Sequence, residues 1–240
     1  MKLIILSFIL FTSSLGFSMS TGTEAWSIGA LGGIITASEN DLNALITRAN
    51  NRGLSITTGQ FANAYEFAGY LQRRFNGSVF ALQLRPSYFT DSTTGSGSGG
   101  SYNYALTGYT IMPLIRAYIL ESSGIKLFIQ GGVGFGSLSG SVTEGAANIN
   151  FSGNSYGYQA GIGVNFCFGS RSQHCVVTEG NLRYMAFERN IVSSVNGTFA
   201  TGPSPSISQS SKGQEVEIDG HDLGTTMSGI QGIVGYQYNL

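Results

Sequence analysis

The chain has 240 residues, 12 basic and 13 acidic side chains, a formal charge of −1, and only 10% charged residues. That leaves no basic surface to displace the counterions of a nucleic acid, whereas 42% hydrophobic residues suffice for a core and exclude acidic disorder. Past the N-terminal segment nothing approaches the ~20 apolar residues of a spanning helix. What remains is a one-domain β protein rich in glycine, tyrosine and phenylalanine.

The first segment reads as a secretory signal peptide. Lys2 supplies a positive start, Leu3 to Phe11 an apolar run, and Thr12 to Gly16 a small, polar tail. Small residues allow cleavage after Gly16 or after Ser20. The second site is preferred, giving a signal peptide over 1–20 and one mature domain over 21–240.

From there the chain alternates with a period of two, the signature of strands with one apolar face. Strands are expected over about 25–36, 65–75, 80–88, 102–120, 125–137, 156–168, 175–191 and 229–240. The pattern is clearest where Tyr156, Tyr158, Ala160, Ile162, Val164, Phe166 and Phe168 alternate with glycine and amide side chains. The connections, 37–64, 76–77, 91–101, 121–124, 138–154, 169–174 and 192–224, alternate long and short. That alternation distinguishes a barrel with long outer loops and short periplasmic turns from a soluble sandwich. Asn76-Gly77 is the preferred dipeptide of a two-residue hairpin turn with both residues at positive φ. The fold class expected is all-β: an eight-stranded antiparallel transmembrane β-barrel. Its apolar face, with Trp26, Ile28, Leu82, Ile162, Val164 and Ile230, meets lipid, because only a closed sheet satisfies its backbone there. Inward glycines make room for larger lumenal side chains, and Pro86 and Pro113, lacking a donor, should each produce a bulge or a lost ladder bond.

The first long connection carries a short amphipathic helix after Ser38, with Ser38 as cap, Asp41 in the first turn and Leu42, Leu45, Ile46 and Ala49 on one face, ending near Gly53. It can cover the barrel mouth, lie on the membrane surface or dock a partner. Segment 92–101 is read as a flexible loop tip, and the last connection, with Gly202-Pro203-Ser204-Pro205, as an exposed excursion.

Parity places Glu66, Arg74, Arg85, Arg116, Lys126, Glu179 and Arg183 inside the barrel. Such charges must pair or reach water. Glu179 is the expected partner of Arg116 and Lys126. A basic lumen of this kind is either a packed polar core or a narrow anion-biased pore. Cys167 and Cys175, close together in an exported domain, are expected to form a disulfide. No cofactor is expected. No metal site is assigned either, although Glu215, Glu217 and Asp219 alternate along one face with Asp222 nearby, a weak candidate set for a divalent cation. His174 and His221 are the only histidines, and no catalytic motif surrounds either, so no enzyme is expected.

The chain ends in Gly235-Tyr236-Gln237-Tyr238-Asn239-Leu240. This resembles the C-terminal assembly signal of bacterial outer-membrane barrels, with Tyr238 and Leu240 at its spaced hydrophobic positions and leucine replacing the usual terminal phenylalanine. With the strand plan, the mature chain resembles the OmpA/OmpX-like eight-stranded barrel superfamily. The resemblance implies the bacterial outer membrane as location, its lipids and lipopolysaccharide as surroundings, and the barrel-assembly machinery and periplasmic chaperones as partners during biogenesis. It leaves function open, since this fold hosts adhesins, narrow channels, structural proteins and lipid enzymes. The reading preferred is a structural or surface-recognition role through the outer loops, with a possible extracellular ligand. A narrow anion-biased channel is the alternative, and a lipid- or peptide-acting barrel enzyme the remote one.

Overall fold

The computed structural model describes residues 26–37, 39–52, 56–169, 172–200, 206–208 and 211–240. The signal peptide and its cleavage site, Ser38, Gly53 and the 202–205 segment lie outside them. Fourteen strands and one helix follow in chain order: β1 (Trp26–Ile35), α1 (Asn40–Asn50), β2 (Ala64–Arg74), β3 (Phe80–Gly97), β4 (Gly100–Glu121), β5 (Ile125–Glu144), β6 (Ala147–Phe168), β7 (His174–Tyr184), β8 (Ala186–Phe187), β9 (Asn190–Asn196), β10 (Ile207–Ser208), β11 (Glu217–Ile218), β12 (His221–Asp222), β13 (Thr225–Thr226) and β14 (Gly229–Asn239).

Strands β1 to β7 pair in sequence order, all antiparallel, and β14 joins β7 to β1. Eight strands therefore close on themselves, which removes every edge at the level of the lipid. The outward parity is predominantly apolar across the belt between the two rims. Trp26, Ile28, Leu82, Ile162 and Ile230 are all exposed, and Val164 lies half-buried on the same face. Rings gather at both rims: Tyr88 on Tyr109, Phe135 on Tyr156 and Tyr158 on Tyr184 at one, and Phe168 and Tyr238 around His174 at the other. These are the two aromatic girdles of a bilayer-spanning barrel.

The inward parity is filled, as an eight-strand barrel requires. A Cβ on Gly29 would overlap the Tyr70 ring, and one on Gly163 the Phe128 ring, so glycine on one strand is the space its neighbour's ring occupies. The prolines each remove ladder bonds without shifting register. Pairing between β2 and β3 skips from Ala68–Ser87 to Leu71–Leu84 at Pro86, and between β4 and β5 from Ile111–Phe135 to Leu114–Gly132 at Pro113. Cys167 and Cys175 face each other across β6 and β7 and form a disulfide beside the turn they flank.

Several boundaries differ from the sequence expectation. The segments 91–101 and 138–154 are not loops: β3 and β4 remain paired to Gly97–Gly100, and β5 and β6 to Glu144–Ala147. Above the membrane the outer face no longer has to be apolar, so hydrophobic alternation fades while the ladder continues. Strand β7 stops at Tyr184, and the next residue, Met185, still on the inward parity, is fully buried. The chain then climbs again as β9 along the upper part of β6. The turn at Asn76-Gly77 is wider than two residues. Ser78 N–H donates to Phe75 O and Phe80 N–H to the Ser78 hydroxyl, and of the pair only Gly77 has positive φ. Helix α1 begins after Glu39, whose side chain makes no capping bond, rather than after Ser38.

Candidate functional site

All seven predicted lumenal charges face the barrel interior, with six buried and Arg74 half-buried. They form three layers. At the end where β1 begins and β14 ends, Arg74 grips Glu121 through two hydrogen bonds of 2.6 and 2.7 Å, and Lys126 lies 3.6 Å from the same carboxylate. Lys126 is thus paired with Glu121, not Glu179. The sequence reading had placed Glu121 in a turn, whereas it is the last residue of β4 and points inward.

In the middle layer Glu179 receives Arg85 and Arg116, each at 2.8 Å. Gln130 donates to Glu179 and Asn181, both at 2.8 Å, and Asn181 donates to Gln231 at 3.0 Å. Slightly higher, Arg183 forms a bidentate pair with Glu66 at 2.8 and 2.9 Å while also donating to Gln159, and Gln231 donates to Glu66. Every barrel strand except β1 contributes to this network. Bidentate guanidinium–carboxylate geometry fixes both partners in orientation as well as distance. The lumen at this level is a bonded plug.

Above the plug the interior becomes apolar. Phe89, Leu106, Met112 and Leu114 from the wall, Leu42, Leu45 and Ile46 from α1, and Phe187, Val216 and Met227 from the last connection share one core. Helix α1 therefore covers the mouth, one of the positions its amphipathicity allowed. Polar contacts fasten it on three sides. Arg48 and Arg52 bond Glu144, which also accepts from the Tyr104 hydroxyl at 2.9 Å. Asn43 pairs with both backbone groups of Phe61, and Asn50 with both of Thr58. Asp41 accepts from Gly224 N–H at 2.8 Å, and Glu39 from Thr226 N–H. Burial pushes the Glu39 carboxyl up to about 8, against the Thr226 bond, with Asp91 and Asp41 adding to the rise.

The acidic alternation of the last connection holds, with Val216 and Ile218 buried and the carboxylates outside. The acids nevertheless do not converge. Glu215 pairs with Arg189, and Asp219 accepts from Ser206 N–H. Among the described residues no three metal-binding side chains come together. His174 sits in the lower girdle bonded to Tyr236, and His221 lies 3.7 Å from Asp41 on the outer surface.

No protein-family model matches the chain, and no curated protein matches it in sequence. Among solved structures it is similar to the outer membrane protein OprG from Pseudomonas aeruginosa, at 14% identity, over 92% of this chain and 98% of that one, with a TM-score of 0.52. The chain has the fold of a small outer-membrane barrel. Ail, the attachment invasion locus protein of Yersinia pestis, solved with the heparin analogue sucrose octasulfate, overlaps at 12% identity, over 91% of this chain and all of its own, with a TM-score of 0.44. With that fold, the apolar belt described above is the surface that meets membrane lipid.

Missed by the sequence reading were Glu144, Arg48 and Arg52, which clamp the lid, and Glu121. Glu144 and Glu121 lie in segments read as a loop and a turn, and Arg48 and Arg52 lie within the helix read to end near Gly53, outside its apolar face, where parity assigns no inside.

Proposed function

We propose that this chain is a non-enzymatic outer-membrane barrel whose role, structural or in surface recognition, is carried by the part it raises above the membrane. The observation behind this reading is the doubly filled interior. A bonded polar plug crosses the lumen, and an apolar core closed by α1 lies on top of it. A lumen used for packing leaves the outside as the working surface. There the hairpins β3–β4 and β5–β6 and the described residues of the 190–228 segment form one packed body rather than separate loops, a rigid scaffold of the kind that displays recognition residues. Five lumenal cations facing three carboxylates favour the rival reading, an anion-biased channel, and conductance separates the two.

Surface display is testable with single thiols, since both native cysteines are paired. Lys212→Cys on intact cells should react with a membrane-impermeant maleimide, and Ser123→Cys, in the turn between β4 and β5, only after permeabilisation. The reverse pattern, or labelling of neither in folded protein, contradicts the proposal.

A further inference from the structure

Within the membrane-spanning part of the lumen, two guanidinium groups share one carboxylate. Arg85 and Arg116 are both wholly buried, and Glu179 is the only acid that either one bonds among the described residues. The neighbouring Arg183 and Glu66 already balance each other one to one. A positive charge is therefore left over in a place with no water-exposed surface, which is costly without a counter-charge.

The hydrogen bonds point the same way. Gln83 Oε1 accepts from Arg85 Nη2 at 2.9 Å and from Arg116 Nη2 at 3.4 Å, so the three side chains meet at one atom. Each of them then has an N–H group without a hydrogen-bond partner: Gln83 Nε2, Arg85 Nε and Arg116 Nη1. The Phe128 ring lies 3.7 Å from the Arg116 guanidinium carbon. A ring covers the face of a guanidinium and attracts its charge, but it does not accept the in-plane N–H groups as an oxygen or halide does. Three donors and a surplus positive charge call for an acceptor that brings no hydrogens of its own. A water brings two hydrogens and no charge. It suits Gln72 Oε1, an unpartnered acceptor on β2 opposite Gln83, better than it suits the three donors.

The cluster also has a neighbouring route to solvent. A pocket at the end where β1 begins and β14 ends is lined by Arg74, Lys126, Tyr118 and Gln72 among others. Gln72 is the cross-strand neighbour of Gln83, so one side chain separates this basic pocket from the donor cluster.

We propose that Gln83, Arg85 and Arg116 form a buried binding site for a chloride-sized monovalent anion, entered from the periplasmic end. The anion completes the plug; conduction through the barrel is not required.

The test is a salt titration of the purified, folded barrel in detergent, reading the temperature midpoint at which its heat-modifiable gel mobility is lost. Bromide is compared with gluconate, which is too large for the site, at constant ionic strength. Bromide should raise the wild-type midpoint saturably, by roughly 5–10 °C at a hundredfold excess over its dissociation constant. Gln83→Glu keeps the accepting oxygen and replaces the unpartnered NH2 by a carboxylate oxygen, so the site is neutralised from within. That variant should keep heat-modifiability and lose the bromide dependence. Equal wild-type midpoints in the two salts, or an undiminished bromide effect in Gln83→Glu, would overturn the proposal. Crystals of the wild type grown in bromide give an answer independent of any variant. An anomalous peak within hydrogen-bond distance of Arg116 Nη1 is expected, and water alone at that position rejects the site.

Discussion

Arg183 and Glu66 meet across the lumen from β7 and β2, held by two parallel hydrogen bonds with both side chains essentially fully buried. Their value to the barrel is asymmetric. Removing one partner strands the other charge out of water, which costs about 3–5 kcal/mol, whereas replacing both by apolar groups of similar size is often neutral. Urea unfolding of the folded barrel should therefore show Arg183→Ala destabilised by about 3–5 kcal/mol, with most of that recovered in Arg183→Met/Glu66→Leu. Equal losses in the single and double variants would mean that the pair holds the plug through its own attraction rather than by mutual neutralisation. The seven charges were legible as inward-facing because a strand's period is fixed at two. Their partners were less so. Lys126 was assigned to Glu179 on proximity along the barrel axis, but Glu121 lies directly opposite it in the β4–β5 register, and register across a turn cannot be read from parity alone.

Helix α1 shows the same division at the scale of an element. Its apolar stripe announced a helix with one buried face, and the covering position follows from the apolar wall it meets, where Leu45 and Ile46 are fully buried. Part of that wall was hidden because Val142, Ile149 and Phe151 lie in the 138–154 segment, whose other parity is serine, threonine and asparagine, which resembles a loop in composition. The lid's attachment is also sensitive to pH. Glu39 titrates near 8 in the folded lid against an ordinary value of 4.5. Below pH 4.5 the carboxyl is neutral whether the lid is docked or free, so ionisation costs nothing. Between 4.5 and 8 the freed carboxyl ionises while the docked one resists, and docking weakens steadily as pH rises; above 8 the full penalty applies. Asp41 and Asp91 add repulsion to the charged form, and His221, beside Asp41, lies outside the buried site. Amide exchange of α1, corrected for the intrinsic pH dependence, should show better protection at pH 6 than at pH 9. Glu39→Gln should flatten that difference. Protection that rises with pH in the wild type contradicts the assignment.

At the scale of the whole molecule, the closed eight-strand order and the lipid-facing parity were readable from the sequence because both follow from one repeating pattern and from the long-short connections. The height of the barrel was not, because strands above the bilayer lose the lipid-facing half of their signal while keeping their hydrogen bonds. The interior is filled from the Arg74–Glu121 layer to the α1 lid, which is the ground for proposing the outer body as the surface that meets larger partners. Planar-bilayer recording of the purified, folded protein tests this most directly. The filled lumen predicts a membrane that stays silent at neutral pH, with no reproducible unitary steps. Reproducible anion-selective steps in the wild type, altered by Arg85→Ala or Arg183→Ala, would contradict a sealed barrel and move the working site from the surface to the lumen.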